Sequence, residues 1–364
     1  MTSSRQQYLC SQKAAGRRVL GVFPALHPRE LAWALNILPV EIWDPPLAEA
    51  QAHSHLQPYI CSVVHQGLEL ILSGQADLCD AFLFPHTCDS IQNLASVVHD
   101  YIGQNRACHF LYHPKPSLRE SSRAYYQAEL KRLAGELAGE AGRPDPERLA
   151  WAVAQGQEIT RLTAELYAAR AAGGLALPAA EFYRVLRRGE WLWPEEHAAE
   201  LRELLASGRN AADDPRRRSG PRVVLSGILP NPSELLKLLD GLGAAVAHDD
   251  LLCCGRRLLF APSDAADLWE VLTQQYLSLP PCSTRGDAIA ARRERLLALA
   301  REGGARGVIL LMVKFCEPEL FDAPILADNL KAAGLNVLSL EVELNRGLSG
   351  QMSTRVEAFL EMLG

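Results

Sequence analysis

GVILLMVKFCEPELFDAP, residues 307–324, opens with an apolar run, turns polar at Lys314 and delivers a cysteine, Cys316, soon after. A continuous run of this kind bounded by a charged loop fits a strand buried on both faces, as in a parallel sheet. The pattern recurs in RRVLGVFP (17–24), LPVEIW (38–43), AFLFP (81–85), CHFLYHP (108–114), RVVLSGIL (222–229), AAVAH (244–248) and NVLSLEVE (336–343). Helical spacing separates these runs. It begins in PRELAWALNIL after a proline and continues in LQPYICSVVHQGLELILSG (56–74) and HTCDSIQNLASVVHDYI, where Asp89 or Ser90 is the expected cap of a helix reaching about Ile102. Further helices are expected from Pro232, twice across 264–303, over 322–333 and in the terminal TRVEAFLEML. The alternation predicts an α/β fold with two doubly wound parallel-sheet domains.

Between 120 and 207 the texture changes to three helical stretches without a convincing strand. The expected organisation is an N-terminal α/β domain over 1–119, a helical connector over 120–215 and a C-terminal α/β domain over 216–364. The basic run DDPRRRSGPR (213–222) reads as a solvated linker, and no repeat stands out in the sequence.

A chain of 364 residues, 48% hydrophobic, can bury two cores. Its net charge of −6 argues against a general nucleic-acid binder. No apolar run reaches the ~18 residues of a membrane span, and MTSSRQQYLCSQKAAGRR lacks the apolar segment of a secretory signal. A cytoplasmic protein is expected. The nine cysteines form no CxxC pair, so any metal site must be assembled from distant segments.

Cys88 and Cys316 each follow an apolar strand, which places them at carboxyl ends of strands, the edge where open parallel sheets bind ligands. Cys61 lies near the start of a helix approached through QPY and can face the same crevice. The plainer alternative is that each is a small buried hydrophobe. His86 and Asp89 flank Cys88 and can hydrogen-bond a bound group, while Asp89 serves equally as a cap. Glu317 and Glu319 suit proton transfer or a solvated loop. His86 and Glu317 are the catalytic candidates. Arg256 and Arg257 suit bidentate phosphate contacts or an ordinary surface. His53 and His55 read as a polar loop, and Cys10, Cys79 and Cys108 as structural or incidental.

The blocks LQPYICSVV, FPHTCDSIQNLASVV, VKFCEPELFDAPIL and GQMSTRVEAFLEML resemble those of the family that contains 2-hydroxyacyl-CoA dehydratase and benzoyl-CoA reductase subunits. LGVFPALHPRELAWALNILPVEIW is similar to that family's first block, and the resemblance runs across essentially the whole chain. One departure is Asn36, where the family pattern leads one to expect glycine; it bears on the local turn.

The resemblance implies an iron-sulfur protein in which Cys61, Cys88 and Cys316 hold a 4Fe-4S cluster between two flavodoxin-like domains. Three thiolates leave one iron open, whereas four close a cubane for electron transfer. It also implies one-electron chemistry on an acyl-CoA thioester. The proton on the third carbon of a 2-hydroxyacyl-CoA is beyond an ordinary side-chain base, but an electron added to the thioester carbonyl gives a ketyl radical that expels the hydroxyl and acidifies that proton. Family members receive the electron from an ATP-hydrolysing iron-sulfur activator and work as two related subunits. This chain is similar in size to the shorter of the two, so its expected partner is a related larger subunit. Benzoyl-CoA reductase relatives use comparable electrons to reduce an aromatic ring, so the resemblance leaves dehydratase and reductase open.

A second branch of the family, homodimeric reductases of small molecules, carries a double-cubane 8Fe-9S cluster. HDDLLCCGRRLLF and SLPPCSTRGDAI offer Cys253, Cys254 and Cys282 as additional ligands for such a cluster. A third reading, from a different functional class, is a non-catalytic binding or assembly subunit of the same fold.

Overall fold

Each apolar run becomes a strand in the structure, a computed structural model that describes residues 5–43, 47, 51–102, 105–175, 177–210, 220–344 and 346–364. The basic run at 213–219 and the expected boundary at 215/216 lie outside the described residues. Strands β1 (Arg18–Val22), β2 (Ile37–Glu41), β3 (Ala81–Pro85) and β4 (Ala107–Leu111) form one sheet. A second contains β5 (Arg222–Gly227), β6 (Ala245–Leu251), β7 (Gly307–Val313) and β8 (Asn336–Val342). All pairings are parallel, and Val308, Ile309 and Leu311 of β7 are almost wholly buried, as a strand covered on both faces requires.

The helices are α1 (Arg5–Ala14), α2 (Arg29–Ala34), α3 (Ser62–Leu72), α4 (Asp89–Ser96), α5 (Glu120–Ala138), α6 (Pro146–Ala171) and α7 (Ala179–Arg188). They continue with α8 (Pro194–Asn210), α9 (Ser233–Gly241), α10 (Gly255–Leu258), α11 (Leu268–Leu277), α12 (Ile289–Glu302), α13 (Glu317–Ala332) and α14 (Gly350–Leu363). The architecture is α/β with two doubly wound parallel sheets.

The two sheets share one strand order, β2-β1-β3-β4 and β6-β5-β7-β8. In each, the order reverses between the first and third strand, and such a reversal opens a crevice beyond the carboxyl ends of the strands. The repetition is one of topology. Any run of aliphatic residues makes these strands, so the order can recur without residue identity.

Contacts divide the chain into two compact units. One comprises Met1–Ile159, Arg188–Ala198 and Phe260–Leu279; the other comprises Thr160–Arg187, Ala199–Leu259 and Pro280–Gly364. The stretch expected as a helical connector is divided between them: α5 falls in the first, α7 in the second save for its last residue, and α6 and α8 have residues in both.

Three local departures from the sequence reading matter for the site. Helix α4 is capped by Cys88, not by Asp89 or Ser90, and Asp89 is its first residue. Helix α13 starts at Glu317 rather than near 322, because Pro318 falls in the first turn, where a missing N–H costs nothing, and Pro324 is accommodated within the helix. Its Ala323, Leu326, Ala327 and Leu330 pack on Val308 and Leu310 of β7 and on Leu296 and Leu299 of α12, each buried leucine contributing roughly 1.5–3 kcal/mol. Strand β6 runs past the expected 248 to take in Asp249 and Asp250, both buried.

The two aspartates are tolerated because each has polar partners, although one Asp250 carboxylate oxygen accepts no hydrogen bond from the described residues. Asp249 accepts from the Tyr167 and Tyr183 hydroxyls and from the amides of Leu251 (3.0 Å) and Gly255 (2.9 Å). Asp250 accepts from the Ser226 hydroxyl at 3.0 Å and lies 3.1 Å from the Arg256 guanidinium. At the end of β5, Gly227 has φ +152°, and a Cβ there would stand 2.2 Å from the Leu311 carbonyl oxygen of β7. Only glycine lets the two strands approach so closely.

Candidate functional site

A cysteine immediately before a helix leaves its sulfur beside backbone N–H groups that have no partner within the helix. That end of the helix carries partial positive charge and favours a thiolate. The chain uses this position repeatedly. Cys61 is the N-cap of α3, Cys88 of α4 and Cys316 of α13; Cys254 precedes the short α10, and Cys282 caps the 3-10 turn Ser283–Arg285. None of the nine cysteines is in a disulfide.

In the first unit, β3 ends at Pro85 and Cys88 follows beyond His86 and Thr87, at the carboxyl edge of the sheet. Burial pushes the Cys88 thiol up to about 11; the amides of Ile91 and Ser90 and the Thr87 hydroxyl favour the thiolate, and the neighbouring Cys61 thiol opposes it. Cys61 and Cys88 are therefore electrostatic neighbours. A positive ion or cluster placed between two such sulfurs would relieve both the burial and the mutual repulsion. His86 packs edge-on against Tyr112, with Nε2 3.9 Å from Asp89, and burial followed by the Lys115 charge lowers its pKa. The Asp89 side chain is largely exposed.

In the second unit, β7 ends at Val313 and Cys316 follows at the same remove as Cys88 from β3. Phe315, just before it, is held at φ +61°, a conformation that side chains other than glycine rarely adopt. Glu317 is exposed at the start of α13, whereas Glu319 is 5% exposed and enclosed by donors. It accepts from Arg256 Nη1 and Ser283 Oγ, both at 2.7 Å, and from Arg292 Nη2 at 3.0 Å. The two guanidinium charges hold its carboxyl well below the usual range despite burial, at about 2. The solvated-loop reading of Glu319 is thereby replaced by a buried ion-pair network.

Arg256, a sequence candidate for phosphate binding, is 1% exposed. Its Nη1 also donates to Cys282 Sγ at 3.3 Å and its Nε to the Asp250 carbonyl at 3.0 Å, so its charge is engaged inside the unit. Arg257 donates to the Cys253 carbonyl at 3.0 Å. Cys253 and Cys254 are both buried with their sulfurs 3.4 Å apart. Cys282 Sγ lies 3.1 Å from the Thr284 hydroxyl. The sequence reading missed Asp250, Glu319 and Arg292 as a set, since no spacing links strand β6 to α12 and α13.

The two units thus repeat a chemical pattern as well as a topology. Cys61 lies between the second and third strands of its unit, as Cys282 does in the other, and Cys88 and Cys316 follow the third strands. Cys79 and Cys108 lie at the opposite end: Cys79 precedes β3 and Cys108 is near the start of β4. Among the described residues no group of three or more His, Cys, Asp or Glu side chains lies in metal-binding geometry. In each unit taken by itself, a cysteine caps the helix that follows the third strand, Cys88 in the first and Cys316 in the second.

Residues 24–363 match the family described as 2-hydroxyglutaryl-CoA dehydratase, D-component. The C subunit of benzoyl-CoA reductase from Thauera aromatica is 28% identical over 92% of this chain and 87% of its own length. The beta subunit of (R)-2-hydroxyglutaryl-CoA dehydratase from Acidaminococcus fermentans is 27% identical over 100% of this chain and 97% of its own. The (R)-phenyllactyl-CoA dehydratase beta subunit of Clostridium sporogenes is 25% identical, with 96% and 92% covered.

Proposed function

The chain belongs to the 2-hydroxyglutaryl-CoA dehydratase D-component family, and from that premise we propose that it is the iron-sulfur subunit of an enzyme of the 2-hydroxyacyl-CoA dehydratase or benzoyl-CoA reductase type, doing one-electron chemistry on an acyl-CoA thioester. The relatives are single subunits, beta in the dehydratases and C in the reductase, which implies a partner subunit. The partner in this reading is a related larger subunit, and the electron source is an ATP-hydrolysing iron-sulfur activator.

The observation that carries the reading is the matched placement of Cys88 and Cys316, each capping the helix after the third strand of its own sheet, with Cys61 capping α3 as Cys88's neighbour. These three thiolates would hold a 4Fe-4S cluster. When bound, it supplies single low-potential electrons and leaves one iron open. The chain's own part is to present sulfurs at helix N-termini, whose amides stabilise negative charge.

The test is anaerobic purification with iron, acid-labile sulfide and a reduced electron paramagnetic resonance spectrum measured on one sample. About four irons per chain, falling sharply in Cys61→Ala, Cys88→Ala and Cys316→Ala, is expected. A preparation free of iron under all anaerobic conditions would sink the reading and leave a binding or assembly subunit. The paired sulfurs of Cys253 and Cys254, 3.4 Å apart, favour a second reading, the double-cubane homodimer. It requires about eight irons per chain and dependence on Cys253, Cys254 and Cys282.

A further inference from the structure

A cluster ligand on a loop that can wander binds weakly, because each binding event must first order the loop. Cys316 sits on a strained turn at the end of β7, with Phe315 at φ +61°. Something must hold the far side of that turn, and the first turn of α13 supplies it. The amides of Glu319 and Leu320 donate to the Cys316 carbonyl at 3.1 and 2.9 Å, so whatever fixes Glu319 fixes the cap.

Glu319 occupies the helix position whose carboxylate often folds back onto the cap residue's own amide. Here it turns away and is gripped by Arg256, Ser283 and Arg292. Arg256 is the hub of that grip. One guanidinium nitrogen reaches Glu319 on α13 and Cys282 Sγ on the loop before α12, while Nε and Nη2 engage the carbonyl and carboxylate of Asp250 on β6. Arg292 extends the network to Asp322 at 2.7 Å, one turn further along α13. Arg256, Arg292, Asp250 and Glu319 are each at most 5% exposed. A network of buried charges this dry is costly to break, because removing one partner leaves the others uncompensated.

We propose that Arg256 is a positioning residue for Cys316: through Glu319 it bolts the start of α13 to β6 and to the Cys282 loop, so that the Cys316 sulfur is in place before metal arrives. The inference rests on the iron-sulfur reading above for its purpose, and on the buried network alone for its mechanics. Arg256 touches no substrate in this role.

The test uses full-length Arg256→Lys, which keeps the buried positive charge and loses the fork that reaches three elements at once. Glu319→Gln, nearly the same shape, serves if the lysine variant does not fold. In the cluster-free protein, amide hydrogen exchange at 317–322 should accelerate while β7 and β8 stay protected. In the iron-loaded protein, loss of iron to a ferrous chelator should quicken by about tenfold or more, the usual effect of removing a group that orients a ligand. The line shape of the reduced spectrum should change as well, which a general loss of stability would not cause.

Unchanged exchange at 317–322 in a folded variant overturns the proposal. So does faster exchange accompanied by iron retention and a spectrum equal to those of the parent protein. If the parent protein takes up no iron, the iron-sulfur reading fails separately, and the exchange experiment alone upholds or overturns the bolt on Cys316.

Discussion

Glu319 carries two buried guanidinium partners and a serine hydroxyl, and its carboxyl is held at about 2 against an ordinary value of 4.5. Folding therefore favours its ionised form. The stability that this contributes is fully present above about pH 4.5 and drains away as the pH falls toward 2, on the order of 3 kcal/mol in all. Glu319→Gln should lower stability at neutral pH and flatten the acid limb between those values, measured as urea midpoints at stepped pH. An acid limb as steep in the variant as in the parent protein would place the proton uptake on unfolding at other groups. Asn36 makes a second case. Its φ of +56° and its side-chain donation to the Gly16 carbonyl at 3.3 Å explain how an asparagine stands where the family pattern leads one to expect glycine. Asn36→Gly should change stability by only a few tenths of a kcal/mol, whereas Asn36→Val should cost roughly 1–2 kcal/mol, read as a shift in thermal midpoint. The sequence showed the departure but not its resolution, since no pattern in WALNILPV fixes a backbone angle.

Strands and helices differ in how openly the chain announces them. The eight strands among the described residues are legible because aliphatic runs bounded by turns have few alternatives, and GVILLMV coincides with β7. The ends of helices are less open. Cysteine is a weak capping residue by statistics, so Asp89 and Ser90 looked better caps than Cys88; the structure instead reserves the cap positions of α3, α4 and α13 for sulfur. The start of α13, expected near 322, lies at Glu317, with Pro318 in its first turn. The carboxyl end of β5 shows how strand and neighbour constrain each other: Gly227→Ala would drive a methyl group to 2.2 Å from the Leu311 carbonyl at a backbone angle that alanine avoids. That substitution should destabilise the second unit by about 2 kcal/mol or more, through the strain at φ +152° together with the displaced β7 backbone. A thermal midpoint within a degree of the parent would show that the strands can part there at no cost.

The arrangement of cysteines across the fold separates those with a chemical role from those without. Cys88, Cys253, Cys254 and Cys316 follow within three residues of a strand's carboxyl end, and Cys61 and Cys282 cap helical turns between strands, whereas Cys79 lies two residues before β3 and Cys108 is the second residue of β4. Cys10 is exposed on α1. The sequence allowed Cys88 and Cys316 to be assigned to strand ends, but their equivalence needed the strand order, which depends on pairings between residues far apart in the chain. Burial alone does not distinguish the two sets. Cys79 and Cys88 are both pushed up to about 11 by burial, yet the Cys88 thiol has the Cys61 thiol as a neighbour, whereas Cys79 is influenced by Arg5, Arg106, Asp80 and Lys13. Position and sulfur neighbours, not acidity, should therefore decide iron binding. Cys79→Ala should retain the parent's iron content after anaerobic purification, at a cost in stability of about 1–2 kcal/mol for the lost buried sulfur, while Cys88→Ala should lose most of the iron with a smaller change in thermal midpoint of the metal-free protein. Cys79 is buried and Cys88 half-buried in the same unit, so the pair compares iron binding against the stability of that unit. Equal iron loss in both variants would mean that iron content reports only the stability of the first unit, and the assignment of Cys88 as a ligand would fall.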